Sequence, residues 1–478
     1  MHSLLPSLED LELISLPEVD SFPEGGLPSK LHTLCIVDCI KLKVCGLQAL
    51  PFLSCFRFTG NDVESFDEET LPSTLTTLEI NRLENLKSLD YKELYHLTSL
   101  QRLCIVGCPK LESISELALP SSLQYLYLRN LESLDYTGLH HLTSLDTLKI
   151  KSCPKVELIS EQVLPSSLEY QGLHHLTSLR NLSIESYPKL EHISERALPS
   201  SLECLHLCKL ESLDCIELQH LTSLHKLKIG SCPKLESLQG LPSSLEFLQL
   251  WDQQDRDSKE IRHLTSLRKM KIRRSLKLES IQEGTLPSSL EDLEIWDMED
   301  LEFKGFQHLT SLRELHICSS PKLESVSGEN LPSSLVSLAL SDLINAESVT
   351  GLQHLTSLRK LIISDCPKLP RERLFLPRWR DIRGCPSLEV VGPGCLVCCL
   401  ELPHWGSNLL EHQWELDFGI MELFGTFSLA KLRSDGSSLN NLDAWKPNPV
   451  ARRHLSVHLL NITIQSNNIV WNNTSLTN

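Results

Sequence analysis

Along most of the chain, apolar residues return in the order L-x-x-L-x-[LI]. Leu123/Leu126/Leu128, Leu145/Leu148/Ile150, Leu202/Leu205/Leu207, Leu224/Leu227/Ile229, Leu290/Leu293/Ile295, Leu312/Leu315/Ile317 and Leu358/Leu361/Ile363 all follow it. The last three positions alternate apolar, polar, apolar, which is the period of a strand. The outer leucine, three residues earlier, leads the chain into that strand. Successive copies lie about 21–25 residues apart. A unit of that size cannot bury its own leucines, whereas stacked neighbours can.

The pattern therefore predicts a leucine-rich-repeat solenoid, an α/β horseshoe or arc with a parallel β-sheet on its concave face. Too little chain separates the strands for long helices, so short 3₁₀ or extended segments are expected on the convex face. Two entry motifs alternate. LPSSL begins at Leu119, Leu164, Leu198, Leu241, Leu286 and Leu331, and HLTSL begins at His96, His141, His175, His220, His263, His308 and His354. The HLTSL blocks are 45, 34, 45, 43, 45 and 46 residues apart, so the duplicated unit is a pair of repeats. The short interval marks a lost half repeat and predicts an irregularity in the sheet near residues 165–180. LPSSLE imitates a helix capping box (Ser200/Glu203, Ser243/Glu246, Ser288/Glu291). The segment that follows has period 2 and is short, so these blocks read as turns into strands.

About 16–17 repeats span residues 1–390 at this spacing. Residues 391–478 form a non-repeat tail with four of the seven tryptophans and no fold signal, either disordered or wrongly appended. The first repeat opens at Leu8 with no polar cap before it, which suggests a fragment.

A formal charge of −17 and the lack of a long basic run argue against nucleic acid or an anionic membrane as main partner. No apolar stretch approaches membrane-spanning length, and the N-terminus has no secretory signal. The cysteine count is odd, 17, which favours reduced thiols in a cytoplasmic protein.

After HLTSL-type strands comes C-P-K-L-E-S or a variant, at Cys108, Cys153, Cys232 and Cys366. Cys39 sits at the equivalent place, and Tyr187, Ser275 and Ser320 replace cysteine elsewhere. A small, weakly polar thiol suits the bend where the chain leaves the sheet. Equivalent cysteines two strands apart lie about 10 Å from each other, too far to share a zinc ion. The recurrent histidines read the same way, as structural. Cys395-x-x-Cys398 has no second pair at zinc spacing. No metal, cofactor or catalytic group is expected, because regular repetition brings no nucleophile, base and orienting group together.

The polar positions between the repeat leucines point out of the sheet, and they alternate in sign. His225/Lys226/Lys228 is followed by Glu246/Phe247/Gln249, then Arg268/Lys269/Lys271, Glu291/Asp292/Glu294 and Arg313/Glu314/His316. Such triplets are either an internal charge ladder or a partner-binding strip, and the two readings are compatible. The candidate protein-binding face comprises Lys226, Lys228, Arg268, Lys269, Lys271, Glu291, Asp292, Glu294, Arg313, His316, Arg359 and Lys360, together with the outward aromatics Tyr125, Tyr127 and Phe247. Trp251 and Trp296, each following a strand's last apolar residue, are candidate edge anchors.

The paired signature HLTSLxxLxIxxCPKLESI…LPSSLxxLxI, nearly complete at His308–Leu335, resembles the C-terminal repeats of plant nucleotide-binding leucine-rich-repeat disease-resistance proteins. The coiled-coil class is the nearest in character. The resemblance covers about residues 1–390. It implies a role inside the cell, holding a nucleotide-binding switch inactive and sensing a pathogen effector or a guarded host protein. The chain has no G-x-x-x-x-G-K-[ST] phosphate loop and no heptads, so nucleotide binding does not carry over. It also lacks the N-x-L-x-G-x-I-P continuation of extracellular receptor repeats. A stand-alone adaptor, such as the substrate-recruiting subunit of a ubiquitin ligase, is the alternative.

Overall fold

The structure, a computed structural model, describes residues 5–369 apart from short interruptions, together with the backbone of residues 379–383. The longest interruptions are 156–172, 253–260 and 275–285. Seventeen strands form one sheet: β1 (Asp10–Ile14), β2 (Thr33–Val37), β3 (Cys55–Thr59), β4 (Thr77–Asn81), β5 (Arg102–Val106), β6 (Tyr125–Arg129), β7 (Thr147–Lys151), β8 (Asn181–Glu185), β9 (Cys204–Cys208), β10 (Lys226–Gly230), β11 (Phe247–Trp251), β12 (Lys269–Arg273), β13 (Asp292–Trp296), β14 (Glu314–Cys318), β15 (Ser337–Ser341), β16 (Lys360–Ser364) and β17 (Trp379–Arg383). Each strand pairs in parallel with the next one in sequence, repeat leucine opposite repeat leucine. Leu205 faces Leu182 and Leu227, and Leu315 faces Leu293 and Leu338. The chain is thus a leucine-rich-repeat solenoid, as its periodicity predicts.

The core is the column of leucines facing away from the solvent side of this sheet. In every fully regular repeat the lead leucine and both strand apolar residues are buried, as with Leu224, Leu227 and Ile229. Each such side chain contributes roughly 1.5–3 kcal/mol when buried. Because every coil packs on the next, the core runs unbroken from Leu27 to Leu369. Across from the sheet lie short 3₁₀ turns, including Leu47–Ala49, Phe306–His308, Gly328–Asn330 and Leu352–His354, and short parallel pairs such as Ser325–Ser327 with Ser348–Thr350.

The entry motifs interlock. The second serine of LPSSL donates to the carbonyl of the leucine closing the preceding HLTSL block. Ser122 does so to Leu100 at 2.8 Å, Ser201 to Leu179 at 2.8 Å, Ser289 to Leu267 at 2.7 Å and Ser334 to Leu312 at 2.8 Å. In the other direction, three of the HLTSL histidines bond through Nε2 to a leucine carbonyl one coil back: His96 to Leu71 at 2.7 Å, His141 to Leu119 at 2.8 Å and His263 to Leu241 at 3.1 Å. These contacts give the alternation of two motifs a physical reason. They also place His96, His141 and His263 in a scaffold role.

Strand exit follows a second rule. From β1 to β16, the residue after each strand has left-handed backbone, with φ between 45° and 65°, usually Asp, Asn, Ser or Gly. Its N–H donates to the carbonyl ending the next strand, as Asp38 does to Thr59 at 2.9 Å and Ser231 to Trp251 at 3.0 Å. The next residue is the recurrent cysteine. Cys39, Cys108, Cys153, Cys232 and Cys366 are buried, and their thiols donate to the carbonyl two residues back, at 3.3 Å for Cys153, Cys232 and Cys366. Tyr187 and Ser320 fill the same buried slot.

Across the short interval between HLTSL blocks, β7 pairs directly with β8 in unshifted register, Leu148 opposite Leu182 and Ile150 opposite Ile184. The irregularity expected near 165–180 falls in part on residues outside the described ones. The LPSSL block at 164–168 lies outside the described residues. Residues 384–478 also lie outside them, including the expected non-repeat tail, 391–478.

Candidate protein-binding face

Three outward positions per strand, and one just before it, form columns along the sheet. The column before the strands reads Asp146, Arg180, Glu203, His225, Glu246, Arg268, Glu291, Arg313. Parallel neighbours are about 4.8 Å apart, close enough for direct pairing. Arg180 reaches Asp146 at 3.8 Å and Glu203 at 3.7 Å, and Arg268 reaches Glu291 at 3.4 Å. Arg313 and Arg359 line one shallow groove with Glu291, Thr310, Ser311 and Ser334.

The predicted ladder is fully formed between β12 and β13. Lys269 bonds Asp292 at 2.5 Å and Glu294 at 3.3 Å, and Lys271 bonds Glu294 at 2.9 Å. Glu294 is buried. Burial pushes its carboxyl up, but the hydrogen bonds and charges of Lys271 and Lys269 prevail and hold it below its ordinary value. Asp292 and Glu294 are therefore committed within the sheet. His316 lies opposite Glu294 in the next strand, and Lys360 is exposed on β16.

The aromatic positions form a second group. Tyr125 is flanked by cations, with the Arg102 guanidinium 3.9 Å and the Lys149 ammonium 5.5 Å from its ring. Its hydroxyl is pushed up to about 12, chiefly by burial. Burial also raises Tyr127. Lys226 sits 5.4 Å from the Phe247 ring. Trp251 lies flat along the sheet rather than projecting from it. Its indole covers Gly230, where a Cβ would collide with the ring, and approaches His206 at 5.5 Å. Trp296 occupies the equivalent slot on β13, opposite Arg273 and Cys318.

Sequence reading missed Arg102, Lys149, Lys151 and His206. All four occupy outward slots of the same repeat pattern, so the signal was present in the spacing. His206 lies between Ser183 and Lys228, with Nδ1 3.1 Å from the Ser183 hydroxyl. Burial first, then the charges of Lys228, Lys149 and Lys151, push it down to about 4. It is neutral at pH 7.

Among the described residues, no group of three or more His, Cys, Asp or Glu could hold a metal ion, and no helix is long and apolar enough to cross a membrane. Burial pushes the Cys104, Cys108 and Cys153 thiols up to about 11, which keeps them protonated and unreactive.

No family profile matches the chain. A stretch of 99 residues, 19% of the chain, is 42% identical to a candidate disease resistance protein of Arabidopsis thaliana, of which it spans 7%. Among solved structures, the leucine-rich-repeat protein LIC12759 of Leptospira interrogans is similar over 82% of this chain and 97% of that one, at 18% identity and TM-score 0.46. The circular leucine-rich-repeat protein CroV588 is similar over 79% and 60%, at 18% identity and TM-score 0.44. These likenesses concern architecture only. The chain is a leucine-rich-repeat solenoid, part of which is similar to a plant disease resistance protein.

Proposed function

We propose that the chain is the protein-recognition region of an intracellular plant immune receptor, working without catalysis or cofactor. It senses a pathogen effector or a guarded host protein through the outward sheet face. It also restrains the receptor's nucleotide-binding domain. The observation that carries this reading is the division of labour within each strand. Leucines supply a continuous core, leaving a ribbon of polar and aromatic side chains that is not needed to fill it. The partial similarity to the Arabidopsis protein supports the immune assignment.

Co-precipitation from leaf extract tests it, comparing the chain with a folded variant carrying Tyr127→Ala, Lys228→Glu and Phe247→Ala. The expected result is loss of specific protein partners, among them a nucleotide-binding receptor segment. Retention of the same partners by the variant would contradict the reading. Recovery of ubiquitin-ligase scaffold subunits would favour the adaptor alternative.

A further inference from the structure

The column of residues just before the strands alternates in sign until Val336. After the HLTSL blocks it reads Arg180, His225, Arg268, Arg313 and Arg359. After the LPSSL blocks it reads Glu203, Glu246 and Glu291, and then Val336. A valine thus stands where the pattern places a carboxylate, directly between two arginines. Its N–H donates to the Arg313 carbonyl at 2.8 Å, and the Arg359 N–H donates to its own carbonyl at 2.8 Å.

The regular part of the column shows what an acid at that place would do. Arg180 reaches Asp146 at 3.8 Å and Glu203 at 3.7 Å, one strand step to either side, and Arg268 reaches Glu291 at 3.4 Å. Among the described residues, Arg313 and Arg359 have no ion-pair partner. The acid before Arg313 in the column is Glu291, which Arg268 holds. Glu314 lies one position further along and faces Ser337, and Lys360 faces the same serine from the other side. The two arginines line one groove of about 800 Å³, where Thr310, Ser311, Thr356 and Ser357 are exposed and carry hydroxyls. The Ser334 hydroxyl is spent on the Leu312 carbonyl.

We infer that this groove binds a phosphorylated serine or threonine of a protein partner, its phosphate seated over Val336 between the Arg313 and Arg359 guanidiniums. The inference rests on the protein-recognition reading above and adds the chemistry of the partner. The two arginines are two strand steps apart, about 9.6 Å, so an anion midway lies one step from each. Arg180 already bridges that separation on both its sides. A planar guanidinium to either side offers paired N–H donors to phosphate oxygens. The groove hydroxyls add donors beyond those a carboxylate can use, and these suit the additional terminal oxygen and second charge of a phosphomonoester. A nucleic acid fits less well, because a molecule of formal charge −17 repels a long polyanion.

The test is fluorescence anisotropy on the full chain at low salt, with a labelled Gly-Ser peptide carrying one phosphoserine. The same peptide with Ser or Glu at that position, and a single-stranded RNA of equal length, serve as rival probes. The inference predicts binding of the phosphopeptide that weakens as salt rises. It also predicts at least about tenfold loss in an R313Q/R359Q variant, while K155Q/K234Q, at the turns leaving the sheet, stays within about twofold. Val336→Glu restores the LPSSLE sequence of the neighbouring repeats and puts a carboxylate where the phosphate would sit, so a loss of at least about tenfold is expected there too. Circular dichroism checks that all three variants fold. No binding, equal binding of the Ser or Glu peptide, unchanged binding in R313Q/R359Q or V336E, or tighter binding of RNA would each overturn it. If the sheet-face variant still loses its leaf partners while the phosphopeptide fails to bind, the phosphate assignment falls and the recognition reading stands.

Discussion

His206 shows how a single residue records the electrostatics of the face. Its imidazole sits half-buried between Ser183 and Lys228, against the Trp251 indole, and ionises near pH 4 in place of the usual 6.5. Because its folded value is depressed, the unfolded chain binds the proton more readily between those two values. Stability associated with neutral His206 is therefore full above pH 6.5 and is lost as pH falls towards 4. The size is about 3 kcal/mol at most, since each unit is worth about 1.4 kcal/mol. Urea unfolding of wild type and His206→Gln at several pH values measures this term. The two midpoints should diverge progressively below pH 6.5, with the wild type losing more. Parallel pH profiles would show that the lysines do not act on the ring. Trp251 teaches a related point. An aromatic after a strand's last apolar residue reads as a projecting anchor, yet the glycine at the same slot of the preceding strand lets the indole lie flat. That glycine, Gly230, was legible in the sequence once the register was known.

At the scale of the repeat, the strands, lead leucines and cysteine bends were all readable, because side-chain period alone decides which residues face the core. What the sequence left open was how one motif addresses the next. A serine of the LPSSL block, and in several repeats a histidine of the HLTSL block, each satisfy a carbonyl of a neighbouring coil. Those partners are 22 residues away in the chain, beyond what local pattern reveals. The charge ladder shows the same limit. Alternating triplets were visible, but only register shows which carboxylates Lys269 and Lys271 meet. The two serines of one LPSSL block supply an internal comparison. Ser289 donates to the Leu267 carbonyl at 2.7 Å, whereas Ser288 is exposed. Ser289→Ala should lower unfolding free energy by about 1 kcal/mol and Ser288→Ala by close to nothing. Equal effects in a urea titration would mean that the strap contributes nothing.

For the solenoid as a whole, stability is a sum over neighbouring coils, so no single strand is indispensable. This tolerance explains how the sheet passes from β7 to β8 in register although the interval between their HLTSL blocks is 11 residues shorter than the one before it. It also frees the outward slots to vary without disturbing the leucine column. The central claim is that these slots meet another protein while the turns leaving the sheet do not. Photo-crosslinking in leaf cells tests it most directly, with a benzophenone amino acid placed at Tyr127 in one version of the chain and at Lys234 in another. The account predicts a discrete crosslinked protein from position 127 and none from position 234. The same adduct from both positions, or one from position 234 alone, would contradict it.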